Sequence, residues 1–199
     1  MNEHRSRDAR CLLKLHFLNC LLINEMLLQP STSETRGIRS GSRLVVNLSA
    51  QTMTAIQEGQ SIRTYSISSA KNGAGEQMGS GCTPRGEHVI RGKIGTSCLV
   101  GTVFVARRTT GEIYSPELAN QFPGRDWILT RILWLSGCEP GKNRFGDVDT
   151  MRRYIYIHGC PDTEPMGVRA SHGCIRMRNE DIVELFDRVE PGTTVLIEE

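Results

Sequence analysis

The densest reactive chemistry in the chain lies in two triplets, His158-Gly159-Cys160 and His172-Gly173-Cys174, the second preceded by Ser171. Together they hold two of the five histidines and two of the seven cysteines. Arg169 and Arg176 add two guanidiniums to the same stretch. A cysteine attacks as its thiolate, so its free pKa of ~8.5 must be lowered or a base must stand beside it. Histidine is the usual base, because its neutral ring can accept a proton near neutral pH. Such a pair also needs a group that orients the imidazole and backbone N–H donors for the oxyanion that forms. The stretch can supply each part. His158 ends a short β run, Tyr154 to Ile157, which would hold it rigidly. Cys174 follows Gly173, where the missing side chain lets a substrate carbonyl approach the backbone amides. The segment from Pro161 to Ala170 is long enough to bring Cys174 back to His158.

By residue type, His158, Cys160, His172 and Cys174 could also form a zinc set. Each of these His–Cys pairs is separated by one residue, whereas structural zinc sites use wider Cys and His knuckles. Residues i and i+2 do share a face on a strand, so a structural zinc module stays open as a distant alternative. Cys82, Cys98, Cys138 and Cys160 form no C-x-x-C pair, which argues against a redox motif. Seven cysteines is an odd count. In an oxidising compartment one thiol would stay unpaired; in a reducing one all are thiols, and most are small buried residues. Trp127 and Trp134 read as core residues and not as a sugar-stacking platform.

The elements expected to position this stretch are mostly strands. Arg43 to Ser49, Thr52 to Gln57 and Gln60 to Ser69 alternate as a β-meander with Glu58-Gly59 as one turn. Lys71 to Gly86 is a glycine-rich loop of a length that is often functional. It ends in Thr83-Pro84-Arg85-Gly86, before a strand over Glu87 to Ile94. Gly101 to Arg107 and the apolar run Trp127 to Leu135 are further strands. Gly111 to Asp126 and Ser136 to Thr150 read as irregular. Asn179 can cap a helix, with Glu180 and Asp181 in its first turn. Ile182, Leu185, Phe186 and Val189 form its apolar stripe. Pro191-Gly192 stops that helix, and Thr193 to Ile197 is the last strand.

The 199-residue chain has the length and composition of one globular domain, and its formal charge is +2. No basic block suggests nucleic acid as a partner. No apolar run approaches the ~20 residues of a membrane span. Residues 1–41 read as an N-terminal segment and linker: a degenerate signal, an amphipathic helix, or translated upstream sequence. The domain is expected over 42–199.

The string Ser171-His172-Gly173-Cys174-Ile175-Arg176-Met177, with His158-Gly159 and Gly167 before it, resembles the signature of the L,D-transpeptidase (YkuD, or ErfK-like) catalytic domain. Thr83-Pro84-x-Gly86 is similar to that family's Thr-Pro-x-Gly element, and the terminal helix and strand match its ending. The resemblance implies an L,D-transpeptidase-like β-sandwich, mostly β with one or two short helices. It implies Cys174 as nucleophile, His158 as general base, and Gly159 as the residue whose backbone carbonyl orients that imidazole. The amides of His172, Gly173 and Cys174 would form the oxyanion hole, with Ser171 beside them. Arg176 would position the loop or meet a substrate carboxylate. The implied reaction is acyl transfer from a peptidoglycan tetrapeptide stem, with D-alanine leaving and an amine accepting. With water as acceptor the same site would be an L,D-carboxypeptidase. No metal or organic cofactor is implied, the partners are peptidoglycan stem peptides, and the location is the periplasm or cell envelope. Cys160 lies outside the family pattern. Oligomeric state is not addressed by the sequence.

Overall fold

The computed structural model describes residues 42–199. The three readings of residues 1–41 lie outside the described residues. Ten strands run in chain order: β1 (Arg43–Asn47), β2 (Thr52–Gln57), β3 (Gln60–Ser66), β4 (Gly86–Ile94), β5 (Thr102–Val105), β6 (Arg108–Ile113), β7 (Ile128–Gly137), β8 (Tyr156–Gly159), β9 (Ile175–Met177) and β10 (Thr194–Glu198). Among the described residues two α-helices join them, α1 (Pro116–Gln121) and α2 (Asn179–Arg188).

The meander β1-β2-β3 is antiparallel, as its alternation requires. β10 returns parallel to β1 and antiparallel to β4, so the C-terminus closes the gap between the meander and the second half. β7, a ten-residue run, is the hub. It pairs β4 and β5 along one edge and β8 along the other. β9 then adds parallel to β8. The two ends of this sheet bury one core. Leu44, Val46, Met53 and Val195 share a cluster with Leu133, Leu135, Ile157, Ile175 and Met177, and with Ile182, Leu185 and Phe186 of α2. This is the expected mostly β architecture with two helices, and the sheet does not close into a barrel. Among the described residues, no helix is long and apolar enough to cross a membrane.

Four local expectations are corrected. The stretch over 111–126 is not irregular throughout: β6 ends in it and α1 lies within it. The Ser115 hydroxyl caps α1 by accepting from Leu118 N–H at 3.2 Å, with Pro116 at the first turn. A six-residue helix shows no apolar stripe, so its period was invisible. Tyr154 lies outside β8 in a left-handed conformation, φ 58°. Asn179 does not cap α2. Arg178 occupies the cap position with no side-chain bond, and the Asn179 side chain turns inward to Thr130 Oγ1 and the Cys160 carbonyl. Ile175–Met177, read only as motif, is a strand.

Candidate active site

The parallel register of β8 and β9 sets out the site. Ile157 pairs with Ile175 and His158 with Arg176. Side chains alternate across a strand, so Ile157, Ile175 and Met177 face the core. Tyr156, His158 and Arg176 face the other side. There they line a cavity of about 450 Å³ together with Cys174, which stands one residue before β9. The two triplets therefore contribute to a single cavity.

His158 is buried, and its Nδ1 lies 2.8 Å from the Gly159 carbonyl oxygen. A carbonyl only accepts, so Nδ1 carries the proton and Nε2 is left with its lone pair. Gly159 is required for this. A Cβ there would lie 2.6 Å from Asn179 Oδ1 and 2.8 Å from the Leu129 carbonyl. The Asn179 amide donates to the Cys160 carbonyl at 2.9 Å, which pins the peptide next to the one that holds the imidazole. Burial pushes the His158 pKa down, opposed by the Gly159 carbonyl and by Asp126. The ring is thus held neutral at neutral pH.

Cys174 Sγ receives the Tyr156 N–H at 3.3 Å and donates to the Tyr154 carbonyl at 3.5 Å. Burial pushes its pKa up to about 12, eased by the Tyr156 N–H and by Arg176 and Arg153 and reinforced by Asp126. At rest the pair is a thiol and a neutral imidazole. The thiol is held on Tyr154 and not on His158, although both open into the same cavity.

The turn before Cys174 is fixed from three sides. Ser171 Oγ donates to the Cys174 carbonyl at 2.5 Å and accepts from Gly173 N–H at 3.3 Å. Thr83, buried in the long loop, donates to the Gly173 carbonyl at 2.9 Å and accepts from Ala70 N–H at 3.0 Å. In a planar trans peptide the N–H points opposite the C=O, so the Cys174 amide points away from Thr83. Gly173 has φ +135°, a region that L side chains rarely adopt. Of the three amides expected to form an oxyanion hole, that of Gly173 is thus already engaged by Ser171.

His172 lines the cavity mouth with its side chain 78% exposed, and its Nδ1 lies 3.9 Å from Asp126 Oδ2. Arg176 is buried and paired twice, to Asp126 at 2.7 Å and to Glu164 at 3.2 Å. It ties Asp126 and Glu164, from two different loops, to β9. Cys160 is fully buried and bonds the Met177 carbonyl at 3.5 Å, away from the cavity. The four residues of the zinc alternative do not converge, and no metal-holding group forms among the described residues. Cys138 and Cys160 are both free thiols.

Two residues of the cavity escaped the sequence reading. Asp126 sits in a stretch read as irregular. Arg153 donates to the carbonyls of Gly75, Glu76 and Cys82, at 3.1, 2.7 and 2.6 Å, and so clamps the long loop beneath the cavity. Neither stands in a motif. Trp127 is core as expected, but Trp134 is only partly buried and floors a second groove.

A mostly β fold here presents a cysteine and a single-tautomer histidine to one cavity. The chain belongs to the YkuD family: the model of the L,D-transpeptidase catalytic domain matches residues 41–197. Among curated relatives, the probable L,D-transpeptidase YbiS of Escherichia coli K12 is 51% identical over 43 residues, 22% of this chain and 14% of that protein. The probable L,D-transpeptidase ErfK/SrfK of Salmonella typhimurium LT2 is 51% identical over 45 residues, 23% of this chain and 15% of that protein. The matched segments are a small part of these relatives' own length. L,D-transpeptidase 3 from Mycobacterium tuberculosis, in complex with a faropenem-derived adduct, superposes with a TM-score of 0.50 at 17% identity, over 80% of this chain and 60% of that one. At that identity the likeness is one of fold.

Proposed function

We propose that the protein is a peptidoglycan L,D-transpeptidase with Cys174 as nucleophile and His158 as general base. The observation that carries this is the His158 tautomer: with Nδ1 committed to Gly159, the bare Nε2 is the only ring atom able to take the thiol proton. The Cys174 proton passes to Nε2 as Sγ attacks the carbonyl of the third stem residue. The tetrahedral oxyanion is met by the amides of His172 and Cys174. Its collapse expels D-alanine, whose nitrogen takes the proton back from His158, and leaves a thioester on Cys174. An incoming amine attacks the thioester, the C–S bond breaks, and the released thiolate recovers a proton through His158. Because thiol and imidazole are both neutral at rest, proton transfer accompanies attack and does not precede it. The domain is assigned to 42–199, acting in the periplasm or envelope where its substrate lies.

The test is incubation with a disaccharide-tetrapeptide and mass analysis of the products. The protein is expected to release D-alanine and form a cross-linked product, and Cys174→Ala is expected to release none. Undiminished release by Cys174→Ala would refute the assignment.

A further inference from the structure

A second groove, of about 600 Å³, adjoins the thiol cavity, and Ala106 and Arg107 line both. Three arginines surround it, Arg91, Arg107 and Arg108, and none of the described residues that line it is acidic. Among the described residues, none of the three makes an ion pair with a carboxylate. The Trp134 ring forms the floor, with the guanidinium of Arg107 4.5 Å and that of Arg91 6.0 Å from its centroid.

Two backbone irregularities aim these side chains. The β4–β7 ladder passes from Ile90 to Gly92, and Arg91 is the extra residue of a bulge. Bulges re-aim a side chain next to functional sites. Ala106 and Arg107 form the two-residue turn between β5 and β6, both with positive φ, at 48° and 65°. Such turns favour Asn-Gly. Strain held by two residues with side chains persists only where the surroundings enforce it. Here it sets Arg107 over Trp134 and onto the Tyr156 hydroxyl at 3.0 Å. Gly92, which pairs with Trp134, leaves the space above it open: a Cβ there would meet nothing within 4 Å.

Resting on the transpeptidase reading, we propose that this groove is the subsite for the C-terminal carboxylate of the acceptor stem peptide. Gly92 pairs with Trp134 and Trp134 with Tyr156, whose N–H meets Cys174 Sγ. The groove thus lies two strand spacings, roughly 10 Å, from β8, the strand whose Tyr156 N–H meets the thiol. The third residue of a stem tripeptide carries both that carboxylate and, at the end of its side chain, the free amine; extended, the two span roughly 8 Å, which the α-amine and carboxylate of a simple amino acid cannot do. The guanidiniums hold the carboxylate by charge-assisted hydrogen bonds. The peptide's amine then attacks the thioester: the C–N bond forms, the C–S bond breaks, and the amine proton leaves through His158.

The test uses the full chain with a tetrapeptide donor and three amine acceptors: a stem tripeptide with a free C-terminal carboxylate, its carboxamide, and D-methionine. Arg91→Glu/Arg108→Glu reverses the charge, Arg91→Lys/Arg108→Lys keeps it, and Gly92→Leu fills the groove. D-Alanine release without acceptor reports the first half-reaction alone. Charge reversal and Gly92→Leu are expected to lower kcat/KM for the carboxylate tripeptide by about tenfold to a hundredfold. The lysine pair should restore much of it, and the carboxamide, D-methionine and D-alanine release should change less than twofold. Equal losses for carboxylate and carboxamide, or no loss for either, would overturn the subsite while leaving the function reading intact. Absence of D-alanine release from the unaltered protein would overturn the function reading, and the subsite with it.

Discussion

Replacing Gly159 by alanine should damage the base without touching any titratable group. The new Cβ would stand 2.6 Å from Asn179 Oδ1 and 2.8 Å from the Leu129 carbonyl, with Ile182 Cγ2 at 3.2 Å. Reaching ordinary carbon–oxygen contact requires roughly 0.8 Å of movement. Leu129 is backbone of the hub strand β7 and pairs with residue 159 itself, so the Gly159–Cys160 segment must yield. That segment carries the carbonyl that receives His158 Nδ1–H at 2.8 Å. A displacement of this size takes the bond out of range and releases the tautomer lock. Overpacking of this kind costs about 1–3 kcal/mol of stability, or roughly 2–12 °C in Tm for a domain of this size. The loss of orientation should lower kcat/KM by about tenfold to a hundredfold, since misplacement of about 1 Å at a reacting group costs up to ~10². D-Alanine release at 25 °C, measured beside a thermal melt, checks both. Wild-type turnover in a variant whose Tm has fallen as expected would refute the orienting role of Gly159.

Cys174→Ala should abolish release of D-alanine, whereas Cys160→Ala should keep it within about threefold and lower stability by about 1 kcal/mol; the same product assay and a urea melt decide between them. Thr83→Val removes the hydroxyl that serves Ala70 N–H and the Gly173 carbonyl. It should cost about 1–3 kcal/mol and reduce turnover by loosening the turn before Cys174; full activity would show that this turn holds without Thr83. His88 is fully buried, donating to the Gly86 carbonyl and accepting from Thr150 Oγ1, and burial lowers its pKa to about 4. The unfolded state therefore binds a proton from about pH 6.5 downward that the native state refuses. Stability should fall by about 3 kcal/mol between pH 6.5 and 4, and a urea-midpoint series that stays flat over that range would refute the assignment.

Much of the site was legible because its logic is local. His158-Gly159 could be singled out from the sequence as a strand-terminal histidine followed by a residue with no Cβ, and the structure places the Gly159 carbonyl on Nδ1. The Ser171–Met177 string likewise packs turn, thiol and strand into seven residues. What escaped depends on distant pairing. Asp126 becomes a site residue only because Arg176 reaches it from another element at 2.7 Å. Arg153 matters because the long loop returns three carbonyls to it. Asn179 looked like a helix cap by type, yet it is drawn inward by Thr130 and the Cys160 carbonyl. Local propensity at its position lost to a buried polar network that had to be satisfied. Trp134 was taken as core because a tryptophan within an apolar run usually is; the absence of a side chain at Gly92, its partner across the ladder, opens one face.

Proton affinity does not tell the two triplet cysteines apart. Burial pushes both thiols up to about 12. Access and register do. β8 ends at Gly159, so Cys160 leaves the strand and buries its sulfur against the Met177 carbonyl. Cys174 stands just before β9, on the face that alternation gives to Tyr156, His158 and Arg176. The thiol there is parked on the Tyr154 carbonyl, which only a protonated sulfur can bond. Rotation of Sγ off Tyr154 into the cavity it shares with His158 exchanges that bond for one to Nε2, which can then take the proton as the sulfur attacks. A high resting pKa is therefore compatible with a nucleophile that gives up its proton only as it attacks, whereas Cys160, at the same value, is fully buried and has no cavity to turn into.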